Sequence, residues 1–266
     1  VSILYFPQLA TGALTQFPTN KDFHARTILN RSIDGGAVRM ADPDGNLTRW
    51  DLQYAGLTDG EVQTLEELFM ECEGRLQTFV FLDPFANLLR WSGDLSNPVW
   101  ESSMLAAPDL EDPTGGIDAW RVTNAAQSGQ TLGQSVDAPG WYRYTFSAWV
   151  RSESASALAL QLGSGSGAVE MIRPVSPEWQ RIAITGELGG DDTAVRCAIE
   201  LPAACAVDFY GPQLEAQPDA SGYRRTTKGS GVLRARFDQD RFERISYGPD
   251  NHSVRLRVVT VRGTTT

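Results

Sequence analysis

The side chains best equipped for chemistry are tryptophans and loop carboxylates. Six of the seven tryptophans fall in the middle of the 266-residue chain, and Trp100, Trp120, Trp141, Trp149 and Trp179 are the candidates among them. An indole face can carry a sugar ring, and a few fixed polar groups then orient its hydroxyls. Trp141 follows Pro139-Gly140 in a turn, a position that exposes it. Trp100 and Gln213 are further candidates for glycan contact. Gln213 and Glu215 have a second reading, satisfying buried backbone groups where a strand ends. Trp149 follows Tyr144 and Phe146 with a shift of phase and reads as core. Trp120 and Trp179 begin strand-like runs and read the same way. Asp109, Glu111, Asp112 and Asp118 cluster in one acidic stretch and offer the oxygen ligands of a structural calcium. They lack EF-hand spacing, and solvated loop carboxylates are the alternative.

Other chemistry lacks its parts. There is no glycine-rich phosphate loop. Gly163-Ser164-Gly165-Ser166-Gly167 reads as a flexible loop, because Gly, Ala and Val after it do not start the helix that a serine nucleophile elbow requires. His24 is one of only two histidines, and it has no evident Cys or Asp partner. Cys72, Cys197 and Cys205 have no metal-ligand spacing and read as buried thiols, with a Cys197–Cys205 bridge left open. Many carboxylates are present, but nothing fixes two at glycosidase separation. The chain therefore reads as a non-enzyme, with no cofactor beyond a possible calcium.

The elements that must position these residues divide by charge. Residues 1–86 carry 6 basic and 12 acidic side chains, residues 87–222 carry 7 and 17, and residues 223–266 carry 10 and 4. The ends offset each other and the middle holds the excess, as expected if residues 1–86 and 223–266 form one discontinuous domain and 87–222 a separate inserted one. The basic end interleaves its arginines with Val254, Leu256 and Val258, a strand pattern rather than a nucleic-acid arm. No run approaches the ~20 apolar residues of a membrane span, so no membrane insertion is expected. The start, VSILYFPQLATG, lacks the basic region and apolar length of a signal peptide, which fits assembly in a cytoplasm.

Asn46 to Pro84 reads as strand, capped helix, strand. Trp50, Leu52 and Tyr54 alternate with Arg49, Asp51 and Gln53. Thr58 and Glu61 have capping-box spacing, with Leu57 and Val62 as its staple. Val62, Leu65, Leu68, Phe69 and Cys72 form an apolar stripe, and Gly74 closes the helix. Arg75 to Leu82 returns as a strand, apolar on both faces and therefore central in a sheet. Before this unit, Thr27–Leu29 and Val38–Met40 flank a turn at Asp34-Gly35-Gly36, and Asp42-Pro43-Asp44-Gly45 is a further turn. Beyond it, strand-like runs lie at 119–124, 142–151, 157–162, 180–185, 195–201 and 207–214, spaced like an all-β sandwich. Residues 237–245 and 253–261 are a last strand pair around Gly248-Pro249-Asp250-Asn251.

Two resemblances attach to these patterns. Trp50, Leu52, Tyr54, Gly56, Leu57, Thr58, Asp59 and Glu61, then Gly74, Arg75, Phe79, Phe81, Asp83 and Pro84, resemble the distal-tail and minor-tail protein families of long-tailed phages and gene-transfer agents. In the middle, Asn87-Leu88-Leu89, Ser92 to Ser96, Trp120 to Asn124, Tyr144 to Arg151 and above all Val207 to Thr226 resemble the carbohydrate-binding-module-like jelly rolls of phage tail and receptor-binding proteins. The implied fold is mainly β with one α-helix: a tail-type β-sandwich or barrel domain with an inserted jelly-roll β-sandwich.

The implied role is a structural virion protein of the tail tip, assembled in the host cytoplasm. It would form a homo-oligomeric ring, a hexamer, between the tail tube protein and the hub or baseplate proteins, with an outward module for host-surface polysaccharide. The acidic helix face (Glu66, Glu67, Glu71, Glu73) and basic strand residues (Arg255, Arg257) are its candidate assembly contacts, at least partly between subunits. The alternatives are a free-standing glycan-binding protein and, with less to support it, a polysaccharide hydrolase.

Overall fold

The computed structural model describes residues 3–165 and 167–261, which leaves Ser166 of the Gly/Ser run and the first two residues of the chain outside the described residues. The protein is mainly β, with a single helix among the described residues. In chain order the elements are β1 (Asn20–Arg31), β2 (Ala37–Leu57), α1 (Asp59–Glu71), β3 (Phe79–Leu82), β4 (Leu105–Leu110), β5 (Ala119–Asn124), β6 (Gln130–Val136) and β7 (Arg143–Arg151). Then come β8 (Ala157–Gly163), β9 (Ala168–Pro174), β10 (Gln180–Glu187), β11 (Val195–Leu201), β12 (Cys205–Glu215), β13 (Val232–Phe237), β14 (Arg244–Gly248) and β15 (Asn251–Thr260). The chain divides into two compact units. Unit 1 takes in Thr15–Phe81 with the described residues of Val1–Ala10 and Leu233–Thr266; unit 2 comprises Thr11–Leu14 and Leu82–Val232.

Unit 1 is one six-stranded sheet, ordered β1-β2-β15-β13-β3 with β14 on β15. The alternation in β2 decides what it buries. Trp50, Leu52 and Tyr54 face inward opposite Val258, Leu256 and Val254 of β15. Above them lies an aromatic cluster: Phe81 meets Trp50 at 5.0 Å, Phe79 meets Phe237 at 4.9 Å, and Phe6 meets Phe81 edge-on at 5.3 Å. The helix adds Val62, Leu65, Leu68 and Phe69, the last 5.0 Å from Phe237. Its N-terminus is closed by the full capping box, with Glu61 N–H donating to Thr58 Oγ1 and Thr58 N–H to Glu61 Oε2. Past its end, Glu73 and Gly74 adopt positive φ. A Cβ on Gly74 would come within 2.9 Å of the Asp240 carboxylate, so both conformation and space favour glycine there.

Three local readings change. The returning strand spans only Phe79–Leu82, because Arg75 is tied instead to Asp240. It ends the strand path rather than lying centrally; its apolar outer edge takes the N-terminal segment, with Tyr5 in a parallel bridge to Val80. Asp42 to Gly45 do not reverse the chain. They form an irregularity inside β2, where the pairing jumps from His24–Leu47 to Arg26–Asp42. Residues 237–245 are not one strand, since β13 stops at Phe237 and β14 starts at Arg244.

Unit 2 is an antiparallel β-sandwich. A five-stranded sheet, β10-β7-β12-β5-β4, faces a four-stranded one, β6-β11-β8-β9. Tyr144, Phe146, Ala148 and Val150 of β7, Phe209 of β12, Ile182 and Ile184 of β10 and Leu158, Leu160 and Leu162 of β8 are all buried. Buried Asn87 ties this unit's opening to its closing strand, donating to Pro212 O at 2.9 Å and accepting from the Leu89 and Leu214 amides. All three cysteines are free and buried. Burial pushes the Cys197 thiol up to about 12, which makes it unreactive at neutral pH.

The capping box generates a direct test. Thr58→Ala removes one acceptor and one anchor of Glu61, and it is expected to lower unfolding free energy by about 1 kcal/mol in urea denaturation. An unchanged midpoint would contradict the cap's role.

Candidate functional site

The outer face of the five-stranded sheet follows from the core. Because Tyr144, Phe146, Ala148 and Val150 point inward, Arg143, Thr145, Ser147, Trp149 and Arg151 lie on the opposite side of the sheet. Thr145 and Ser147 are buried there, Thr145 bonded to Gln217 O and Ser147 to Arg181, while Arg143, Trp149 and Arg151 are half-buried. Register extends the face sideways: Trp149 is opposite Arg181 of β10 and Tyr210 of β12. Arg151 is opposite Asp208, which is in turn opposite Arg121 of β5. Two rows result, Arg181–Trp149–Tyr210 and Arg151–Asp208–Arg121, with Trp179 beside the second. Trp149, Trp179 and Tyr210 are each half-buried, so their rings are braced yet reach the surface.

Asp208 organises the arginines. Its side chain is 6% exposed, and its carboxylate accepts from Arg121 Nε at 2.7 Å and Arg151 Nε at 3.0 Å. The hydrogen bond and charge of Asp208 raise the Arg121 pKa further above its ordinary range. Arg151 is also placed over the Trp179 ring, 4.7 Å from its centroid, a cation–π contact. Arg181 donates to Ser147 Oγ at 2.9 Å. A buried Arg181 Nε and the buried Trp179 Nε1 have no hydrogen-bond partner. At the far end, Arg143 pairs with Glu187 at 2.5 Å.

Tyr210 also opens a cleft of about 180 Å³, lined by Trp120, Tyr223, Asp118 and Arg225 among others. The β12 register shifts just after Tyr210, and Gly211 takes φ 62° there. A Cβ on Gly211 would lie 2.8 Å from Tyr223, so the glycine lets that ring lie against the irregularity. Tyr223 meets Tyr210 edge-on at 5.2 Å, and burial pushes its hydroxyl up to about 12. Asp118 and Arg225 pair at 2.7 Å across the rim. The result is a surface with aromatic platforms, fixed cationic donors and a shallow end pocket.

The residues singled out from the sequence are scattered relative to this surface. Trp141 is 44% exposed in the turn before β7, edge-on to Tyr142. Trp100 is buried, its Nε1 donating to Trp91 O, so it has no face to offer a sugar. Gln213 is fully buried, with its amide bonded to Ser221 O, Gly222 O and the Arg224 amide; it holds the closing segment rather than a ligand. Trp149 is not core: the expected shift of phase is absent, because Ala148 and Val150 continue the inward series. Trp149 sits among the polar residues of its strand, and that is the signal that could have found it. Tyr210, Arg151, Arg181, Asp208 and Arg121 were missed because no motif marks them; only strand register assembles them.

Among the acidic candidates, Asp109 and Glu111 are exposed and Asp118 is taken by Arg225. Asp112 is buried. Its carboxylate accepts from Thr114 N and Oγ1, Gly116 N and Asp118 N at 2.6–3.2 Å. Among the described residues no group of three or more His, Cys, Asp or Glu side chains could hold a metal ion. The assembly candidates separate as well. Arg255 forms a bidentate pair with Asp51 rather than with the helix; Glu66 reaches Arg244 at 3.8 Å, and Glu67 accepts from Gln63. Glu71, Glu73 and Arg257 make no ion pair among the described residues.

Fold and surface together define an antiparallel β-sandwich with an aromatic and basic sheet face. Comparison with protein-family models returns no match, and comparison with curated proteins returns none. Among solved structures the chain is similar to the enzymatically active domain of bacteriophage CBA120 tailspike protein 4, at 9% identity and TM-score 0.41, over 51% of this chain and 22% of that one. It is also similar to the CBM22-1 xylan-binding domain from Paenibacillus barcinonensis Xyn10C, at 14% identity and TM-score 0.40, over 51% and 96%. A third is TmCBM61 in complex with β-1,4-galactotriose, at 16% identity and TM-score 0.37, over 48% and 97%.

The Asp112 loop predicts a pH dependence. Burial opposes its charge, but the hydrogen bonds from Thr114, Asp118 and Gly116 outweigh burial and hold its pKa below the ordinary carboxylate value. A depressed folded pKa stabilises above the unfolded value of about 3.9, and the contribution is lost as pH falls through the folded value. Melting curves from pH 6 to 2 are therefore expected to fall more steeply for the native chain than for Asp112→Asn. Parallel curves would contradict this.

Proposed function

We propose that unit 2 is a glycan-binding module whose binding surface is the outer face of its five-stranded sheet, and that the chain acts by binding rather than catalysis. The observation that carries this is the Trp149–Tyr210 pair. Two register partners on adjacent strands present rings at the surface, between guanidinium groups already fixed by Asp208 and Ser147. A pyranose stacks on such rings and takes hydrogen bonds from such donors without those side chains having to be ordered on binding.

Unit 1 supports the structural half of the reading: a phage-like tail-tip protein of distal-tail type, assembled as a ring between tail tube and baseplate. β1 is exposed along its whole length. With the first part of β2 it forms a two-stranded ribbon that displays Phe23, Ile28, Leu29, Val38 and Met40, with Ile33 at its tip. Such a ribbon is marginal by itself in water, and clustered exposed apolar side chains mark an interaction surface. A neighbouring copy covering the ribbon supplies that contact, and Glu71 and Glu73, which make no ion pair among the described residues, are available for intersubunit ones.

Two measurements check these halves. In affinity electrophoresis of the full chain against a panel of polysaccharides, Trp149→Ala and Tyr210→Ala are each expected to weaken binding about tenfold or more, roughly 1.4 kcal/mol, with little change in melting temperature. Retained affinity in both variants would exclude the face. In light scattering, the native chain is expected as a closed oligomer that Glu67→Lys with Glu71→Lys weakens and Phe23→Glu with Ile28→Glu abolishes. A monomer at high concentration, or an oligomer indifferent to all four changes, would contradict ring assembly.

A further inference from the structure

We infer that the glycan is acidic: the face takes a polysaccharide carrying an anionic group on its pyranose rings, held by Arg181 while a neighbouring ring lies on Trp149 and Tyr210. This rests on the sheet face being the glycan site. Charge on the face carries the inference. Residues 87–222, which make up most of unit 2, hold 7 basic and 17 acidic side chains. Yet the outer face of this sheet gathers Arg121, Arg143, Arg151 and Arg181 against Asp208, Glu187 and Glu215, the last buried opposite Thr145 and bonded to Ser221. Glu187 is taken by Arg143, and Asp208 is shared by Arg121 and Arg151. Glu153 lies close enough to Arg121 to act on its charge. Arg181 has no such compensation: it bonds the neutral Ser147 hydroxyl and has no carboxylate within ion-pair distance among the described residues. The positive surplus therefore falls at the Arg181–Trp149 end of the row.

A half-buried, uncompensated guanidinium on an acidic body is costly unless something anionic completes it. A hydroxyl can accept from it, but only an anion also neutralises it, and the planar donor fork matches a carboxylate in two bonds. A bound group feels the arginines within a Debye length of about 8 Å rather than the distant net charge. The rings can stack a pyranose or a nucleobase, so it is the extent of the charge that favours a sugar. The surplus is local and small, not the long basic stripe that tracks a phosphate backbone.

The test is affinity electrophoresis and titration of the full chain with polygalacturonate, neutral β-1,4-galactan, dextran sulfate and a single-stranded DNA oligonucleotide, at low and at 0.15 M salt. Polygalacturonate or dextran sulfate is expected to bind about tenfold or more tighter than galactan at low salt, with the margin narrowing as salt rises. The first or second being preferred identifies the anion as carboxylate or sulfate. Arg181→Gln is expected to bring the acidic-to-neutral ratio close to one, while Arg181→Lys retains part of it, which separates charge from folding. Equal affinity for acidic and neutral polymers would overturn the acidic inference and leave the glycan face standing. DNA bound as tightly as the acidic polysaccharides would overturn it in favour of a general polyanion patch. No binding to any polymer would overturn the glycan reading itself.

Discussion

One strand, β7, constrains both halves of the sandwich. Its inward residues Tyr144, Phe146, Ala148 and Val150 are all within 1% of full burial. That burial fixes the phase, because a slip of one residue would drive Arg143, Arg151 and Trp149 into the core and expose the apolar set. The outer face is thus a by-product of core packing. The side chains that could bind a ligand are aligned by the same energy that holds the sheets together, and they sit on a rigid element rather than on loops.

Asp208 is the second constraint. A carboxylate that is 6% exposed would be costly alone, and two guanidiniums on flanking strands meet it. The exchange runs both ways: Asp208 holds Arg151 in position over Trp179, and the indole braces the guanidinium from beneath. What remains mobile in such a surface is little, so most of the ordering cost of binding is met when the module folds. Unit 1 shows a different balance. Its aromatic cluster and capped helix are well packed, while β1 is exposed along its whole length.

Much of the fold was legible in the sequence. The Thr58–Glu61 box, the alternation around Trp50 and the strands β5 and β11 follow from local pattern, because each buries one face and shows the other. Within the sandwich the three unread strands, β4, β6 and β9, all lie at sheet edges, whereas β13, of which only Phe237 was read, lies inside the sheet of unit 1. Edge strands pack on one side only and carry residues such as Pro108, Gly133 and Glu170 that obscure the period. The same limit hid the surface. Trp149 was assigned to the core because aromatic residues in strands usually are buried, although its neighbours in phase are Arg143, Ser147 and Arg151. Tyr210, Arg181 and Asp208 come together only through the pairing of β10, β7 and β12, which links residues 32 to 61 positions apart that no local spacing connects. Trp100, a candidate for its aromatic face, and Gln213, a candidate from the closing motif, use their polar tips inside the sandwich.

Hydroxyl-radical footprinting of the full chain, with and without bound polysaccharide, tests the sheet-face site most directly, since tryptophan and tyrosine are the reporters. Protection of Trp149 and Tyr210, with the exposed Trp141 still reactive, is the expected result. Protection confined to Trp141, or none at Trp149 and Tyr210 under saturating ligand, would contradict it.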